Sequence, residues 1–293
     1  MRELIVFEAH ASYVLGLCFA RDGQTLISAG MDNVVKLWSA PGWDLVRALQ
    51  GHVNSVNSIA LSPDGQRLVT GSTDQSVRVW SFPDGELLHT LRDRKKTVSA
   101  VQISPDGAWV AAGWYGGRAR IWTMGGQDVA TINASKKNLA SVAFSPDGKI
   151  LATSGLGDEI SLWALPSGEL VGILKGHSTA VGSLGFIHGG RTLVSLGYEQ
   201  AIRFWDTRTW RESRAERARG SGVRAIAFSP DDALAGLSME GQVQLWRVEE
   251  WALAAELPVS TKVVSSVAFS PDGRLLAIGG ADRKVRIWEI DSF

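Results

Sequence analysis

The sequence predicts an all-β repeat fold of seven units, each built from four short antiparallel strands. Two ladders of residues carry that prediction. Tryptophans stand at 38, 80, 122, 163, 205, 246 and 288, at spacings of 42, 42, 41, 42, 41 and 42 residues. Upstream of them recurs a turn signal: Ser62-Pro63-Asp64-Gly65, Ser104-Pro105-Asp106-Gly107, Ser145-Pro146-Asp147-Gly148 and Ser270-Pro271-Asp272-Gly273. Ser229-Pro230-Asp231-Asp232 departs at one position, and Ala20-Arg21-Asp22-Gly23 and Ile187-His188-Gly189-Gly190 are degenerate versions. A period kept through all 293 residues marks one repeat array over 1–293 rather than two domains of about 150 residues.

The second repeat illustrates each element. Val56 to Leu61 alternates and stops at the Ser62 turn; Arg67 to Gly71, Ser76 to Trp80 and Glu86 to Leu91 follow as strands. Pro and Asp set the early turn geometry and Gly supplies φ > 0. Val, Leu, Ile and Thr fill the strands, as a pleated surface favours. No stretch sustains a 3.6-residue apolar period, so helix is expected nowhere beyond a turn. Four antiparallel strands per repeat fit a seven-bladed β-propeller, whose radial stacking covers both faces of every sheet. In the innermost strands, large Leu17, Ile59, Val101, Val142, Leu184, Ile226 and Val267 are each followed by Cys18, Ala60, Gln102, Ala143, Gly185, Ala227 or Ala268. Large on one face and small on the other suits sheets that converge. Cys18 therefore reads as packing, and Gln102, the polar exception, is expected to line the central channel.

Composition excludes several functions. Thirty Lys and Arg balance thirty Asp and Glu, which argues against a generally basic nucleic-acid or membrane-surface binder. No apolar run approaches the ~18 residues of a membrane span, and the Leu4-Ile5-Val6-Phe7 run is too short for a signal peptide. One Cys makes no internal disulfide and no metal set, so no metal and no cofactor are expected, and a cytoplasmic location is.

The repeats, over essentially the whole chain, resemble the WD-repeat β-propeller family. Gly51-His52 and Gly176-His177 match that family's Gly-His element, with Ala9-His10 close to it, and Trp205-Asp206 keeps its Trp-Asp dipeptide. Elsewhere the dipeptide is Trp38-Ser39, Trp122-Thr123 or Trp288-Glu289, so the resemblance rests on spacing. It implies that the strand Met1 to Phe7 closes the last blade as its fourth strand, the sequence running only five residues past Trp288. It also implies a non-enzymatic scaffold whose top rim docks a protein or peptide, as a monomeric propeller within a larger complex.

His10, Ser28, Asp32 and Trp38 recur at identical separations as His52, Thr70, Asp74 and Trp80. Read alone, the first three suggest a hydrolase triad. Duplication in neighbouring blades argues against a catalytic centre, and the resemblance implies structural tetrads: indole N–H to hydroxyl, hydroxyl to His, His to acid. His177, Ser195 and Trp205 continue the set with Glu199 at the acid position; blade seven keeps Asp282 only. Arg94, Ser135 and Arg219 stand where His would in blades three, four and six.

Candidate partner-binding residues gather on the top rim. Ahead of the tetrad-acid position come Met31, Thr73, Tyr115, Leu156, Tyr198, Met239 and Ala281, with Trp114 beside Tyr115 and Tyr13 in the loop leading into blade one. Large apolar side chains in loops mark an interaction surface; the alternative folds several of them inward. Lys95 and Lys96 lead into blade three and Lys136 and Lys137 into blade four, with Glu199 and Glu240 across the ring. That sector suits an acidic or phosphorylated peptide, or is ordinary solvated lysine. Two further alternatives remain: a small-molecule or catalytic site in the central channel, and nucleic-acid binding through Lys95, Lys96, Lys136 and Lys137. Trp43, Trp210 and Trp251, each five residues after a landmark Trp, read as packing at the start of outer strands.

Overall fold

The structure, a computed structural model, describes residues 1–93, 96–220, 222–259 and 263–290. It is a seven-bladed β-propeller with four antiparallel strands per blade. The only helical turn among the described residues is the 3₁₀ turn His188–Gly190. Two compact units divide the chain, Met1–Asn57 with Gly220–Phe293, and Ser58–Arg219.

The second unit contains blades two to five. Blade two holds Val56–Leu61, Arg67–Ser72, Ser76–Ser81 and Leu87–Arg92, the unit boundary falling inside its first strand. Blade three holds Val98–Ile103, Trp109–Trp114, Arg118–Thr123 and Asp128–Asn133. Blade four holds Leu139–Phe144, Ile150–Gly155, Glu159–Ala164 and Glu169–Lys175, and blade five Val181–Ile187, Thr192–Gly197, Ala201–Asp206 and Arg211–Arg217. Successive blades pack with Val98 and Val101 against Gly71, where a Cβ would collide, and with Leu139 and Val142 against Gly113, where a Cβ would be crowded. Gln102 is spent here: its Oε1 accepts the Phe144 N–H at 2.5 Å, tying the innermost strands of blades three and four together.

The first unit contains blades six, seven and one. Blade six holds Ala225–Phe228, Leu234–Ser238, Gln242–Arg247 and Ala252–Pro258, and blade one Val14–Phe19, Thr25–Gly30, Val35–Ser39 and Asp44–Leu49. Blade seven holds Val264–Phe269, Leu275–Gly280 and Lys284–Glu289, and its fourth strand is Arg2–Glu8, paired antiparallel to Lys284–Glu289. That pairing covers a sheet edge that would otherwise be free to recruit another strand. Burial pushes the Cys18 thiol up to about 12, which removes its nucleophilic form near neutral pH.

Each landmark Trp sits at a fixed register. Leu26 pairs with Trp38, Val110 with Trp122, Leu151 with Trp163, Leu193 with Trp205 and Ala235 with Trp246. On its other side the fourth strand bulges, as between Ile121 and Trp122 or Phe204 and Trp205, which re-aims the outer strand. The Ser-Pro-Asp-Gly turns are locked by their own side chains. Ser104 Oγ donates to Asp106 Oδ1 at 2.5 Å and accepts the Trp109 N–H at 2.9 Å, while Gly107 takes φ 75°. Trp43, Trp210 and Trp251 hold φ of 57°, 53° and 52°, in the left-handed region that Gly85 and Gly168 occupy five residues after their own landmark Trp. Ring packing offsets that strain: Trp43 lies edge-on to Phe19 at 5.9 Å, and Trp251 stacks on Trp246 at 5.6 Å.

Candidate functional site

Beneath each landmark indole, the second strand and the loop leading into the blade enclose a slot. In blade one, Trp38 Nε1 donates to Ser28 Oγ at 2.8 Å, and Ser28 Oγ lies 2.8 Å from His10 Nε2. His10 Nδ1 is 2.8 Å from Asp32 Oδ1, and Asp32 also accepts the Ala11 N–H at 2.9 Å. Blade five repeats the chain with Trp205 on Ser195 at 2.9 Å, Ser195 on His177 at 2.7 Å and His177 on Glu199 at 2.6 Å. The longer Glu199 side chain also takes the Thr179 hydroxyl. A glycine makes room for the ring: a Cβ at Gly30 or Gly197 would stand 2.5 Å from the imidazole Nδ1.

These groups have no chemistry to spare. Ser28 and Ser195 are fully buried, and each hydroxyl already accepts from an indole and faces a His. A nucleophile needs an approach for substrate, and neither hydroxyl has one. Burial lowers His10 and His177 against the pull of Asp32 and Glu199, so both rings are neutral near pH 7. Burial alone would raise the acids. Hydrogen bonds outweigh it, from the Ala11 N–H and His10 on Asp32, and from Thr179 and His177 on Glu199, so both carboxyls are lowered.

The other blades treat the slot differently. In blade two, Trp80 donates to Thr70 at 3.0 Å, and His52 is buried; Asp74 accepts the Ser76 hydroxyl at 2.5 Å. Blade four keeps the dyad of Trp163 and Thr153, 3.0 Å apart, without the His. In blade seven Ile278 replaces the hydroxyl, and Asp282 binds Arg286 Nη2 at 2.6 Å.

Blades three and six correct two rim expectations. Trp114 is 1% exposed, its ring edge-on to Trp122 at 5.5 Å, and it therefore presents nothing to a partner. It ends the second strand four residues beyond Val110, the register at which blade one has Gly30. With Ala112 in place of the hydroxyl, the indole fills the slot that a histidine fills elsewhere. Met239 is likewise 1% exposed. Ala235, not the preceding residue, faces Trp246, because blade six has one residue fewer between its turn and its tryptophan. Counting back from the tryptophan placed Met239 beside Met31 on the rim, whereas its register is that of Gly30, inside the slot.

The remaining rim candidates are placed as follows. In the second unit, Tyr115, Leu156 and Tyr198 are 45%, 47% and 53% exposed. Each follows a second strand, its backbone N–H held by the loop leading into the same blade: Tyr115 on Thr97 O, Leu156 on Asn138 O and Tyr198 on Ala180 O, all at 2.9 Å. The Tyr198 ring lies over Gly182, where a Cβ would sit 2.5 Å from it. Lys96, Lys136 and Lys137 are exposed; Lys95 lies outside the described residues. In the first unit, Tyr13 and Met31 are exposed side by side, joined by the Met31 N–H on Tyr13 O at 2.9 Å.

Among the described residues, no group of three His, Cys, Asp or Glu side chains could hold a metal ion. No helix among them is long and apolar enough to cross a membrane. No curated protein matches the chain. The family model described as the IFT122 first beta-propeller matches residues 13–289, which takes in all seven landmark tryptophans. The chain belongs to the IFT122 first beta-propeller family.

Proposed function

We propose that the protein is a non-enzymatic scaffold that docks a protein or peptide on the rim carrying its second-to-third-strand loops. The observation that carries this reading is the row Tyr115, Leu156 and Tyr198, one large exposed side chain on the same loop of three successive blades. Loops that need only solubility would carry polar residues there, and aromatic anchors dominate binding energy at protein interfaces. Tyr13 and Met31 supply the same chemistry in the other unit. Exposed Lys96, Lys136 and Lys137 favour an acidic segment by long-range attraction. The scaffold acts in the cytoplasm as one propeller within a larger complex, in keeping with a propeller family rather than an enzyme family.

The test is affinity for a captured partner, measured for wild type and for Tyr115→Ser with Tyr198→Ser. The double variant should weaken binding by a hundredfold or so, about 1–2 kcal/mol for each anchor, with the melting temperature unchanged. Unchanged affinity in a folded double variant contradicts the rim assignment. Raising salt should slow association with an acidic protein modestly; a collapse of affinity with salt and competition by single-stranded nucleic acid would favour the nucleic-acid reading instead.

A further inference from the structure

We propose that blade four carries a binding pocket for a neutral imidazole ring, at the position where blades one and five hold their own histidine. A cavity of about 150 Å³ opens beside the Trp163–Thr153 dyad. Thr153 and Gly155 form its buried end, with Ser161 half-buried above them; Lys137, Asp158 and Glu159 stand at its exposed end with Ser135.

Register explains the cavity. Counted back from the landmark tryptophan, Ser135 is the counterpart of His10 and His177, and Gly157 of Asp32 and Glu199. Ser161 stands where Lys36 and Arg203 stand. Three truncations thus coincide in one blade. The slot is not refilled from within, as it is by Trp114 in blade three and by Met239 in blade six. A side chain at Gly155 could not fill it either, since a Cβ there would strike the Asn138 carbonyl. A cavity of this volume admits a five- or six-membered ring.

Its polarity selects the ring. Thr153 Oγ1 accepts the Trp163 indole N–H at 3.0 Å, so the hydroxyl proton is left to donate. In blades one and five the equivalent proton meets His10 Nε2 and His177 Nε2. An apolar ring would leave this hydroxyl unsatisfied, and an anion would face two carboxylates, Asp158 and Glu159, against the single cation Lys137 in the lining. A neutral imidazole offers one acceptor nitrogen for Thr153 and one N–H for the Asp158 carboxylate at the mouth, in the role that Asp32 and Glu199 play; Glu159 beside it is paired with Lys175 at 2.9 Å. Ser154, also in the lining, buries a hydroxyl that has no hydrogen-bond partner, so this is a site carrying unmet polarity.

The ring could belong to a small molecule or to a partner's histidine side chain, and the pocket does not depend on the docking surface proposed above. The test follows the Trp163 indole N–H by ¹H–¹⁵N NMR at pH 8 on the full chain, titrating first imidazole and then N-acetylhistidine methylamide. A saturable shift at Trp163, with Trp38 and Trp205 unmoved, is expected. It should disappear in Ser135→His, whose own ring takes the site, and weaken about tenfold in Thr153→Val, the loss of one buried hydrogen bond. Unchanged Trp122 and Trp205 signals report that both variants are folded. A response to both probes assigns a histidine side chain, and a response to imidazole alone assigns a free small molecule. No saturable shift with either probe, or the same shift in Ser135→His, overturns the proposal.

Discussion

Blades three and five put the same volume to opposite uses. Both place a tryptophan at the same register, Trp122 opposite Val110 and Trp205 opposite Leu193, and both belong to one compact unit. Beneath Trp205 the slot holds Ser195, His177 and Glu199, every polar atom of the chain paired. Beneath Trp122 it holds a second indole, and Trp114 Nε1 is buried without a partner. The comparison teaches that a polar network and a packed ring fill the slot equally well, so its polarity is optional. A polar filling must be complete, because a half-made network leaves desolvated groups with nothing to bond. An apolar filling trades that risk for ring packing and, here, for one unsatisfied N–H.

Emptying the apolar slot should have the largest effect. Trp114→Ala is expected to destabilise by about 3–5 kcal/mol, read by urea unfolding, since the cavity would open in a core packed from blades two and three that collapses only in part. Next comes Ser195→Ala, expected to cost about 1–3 kcal/mol, because one deletion strands both the Trp205 indole N–H and a His177 nitrogen. A cost there as large as that of Trp114→Ala would break the comparison.

The two blades should also part company in acid. His177 is lowered from 6.5 in the folded state, so the unfolded chain binds the proton first, and stability falls as pH drops below about 6.5. Glu199, lowered from 4.5, adds a further loss as pH falls below that value. Trp122 and Trp114 do not titrate. Hydrogen-exchange protection, corrected for intrinsic rate, should therefore drop between pH 7.5 and 5.5 in Thr192–Gly197 more than in Trp109–Trp114. Equal losses would mean that His177 is not the source.

Much of this was legible from residue spacing. The seven blades follow from periodicity, while the strand closing blade seven and the hydrogen-bonding order in blades one and five are what the resemblance to WD-repeat propellers implies. What spacing could not convey was which way a side chain turns when one residue is missing. Met239 counted as a rim residue because distance was measured from the tryptophan, across a hairpin one residue short. Trp114 read as exposed because it neighbours Tyr115, although Trp114 is the last residue of a buried strand and Tyr115 the first of the turn that follows it. The cavity in blade four was hidden for another reason. Ser135, Gly157 and Ser161 each register as a lost motif residue, and only packing reveals that the three losses share one volume.

The most direct test uses two residues three apart in blade five. Ser195 is 0% exposed and Tyr198 53% exposed. Melting temperature and partner affinity measured side by side for Ser195→Ala and Tyr198→Ser should separate cleanly: the first lowers the melting temperature by several degrees with affinity kept below the transition, and the second weakens binding roughly tenfold with the melting temperature unmoved. The reverse pattern, binding lost with Ser195 and stability lost with Tyr198, would contradict the assignment of structure to the slots and function to the rim.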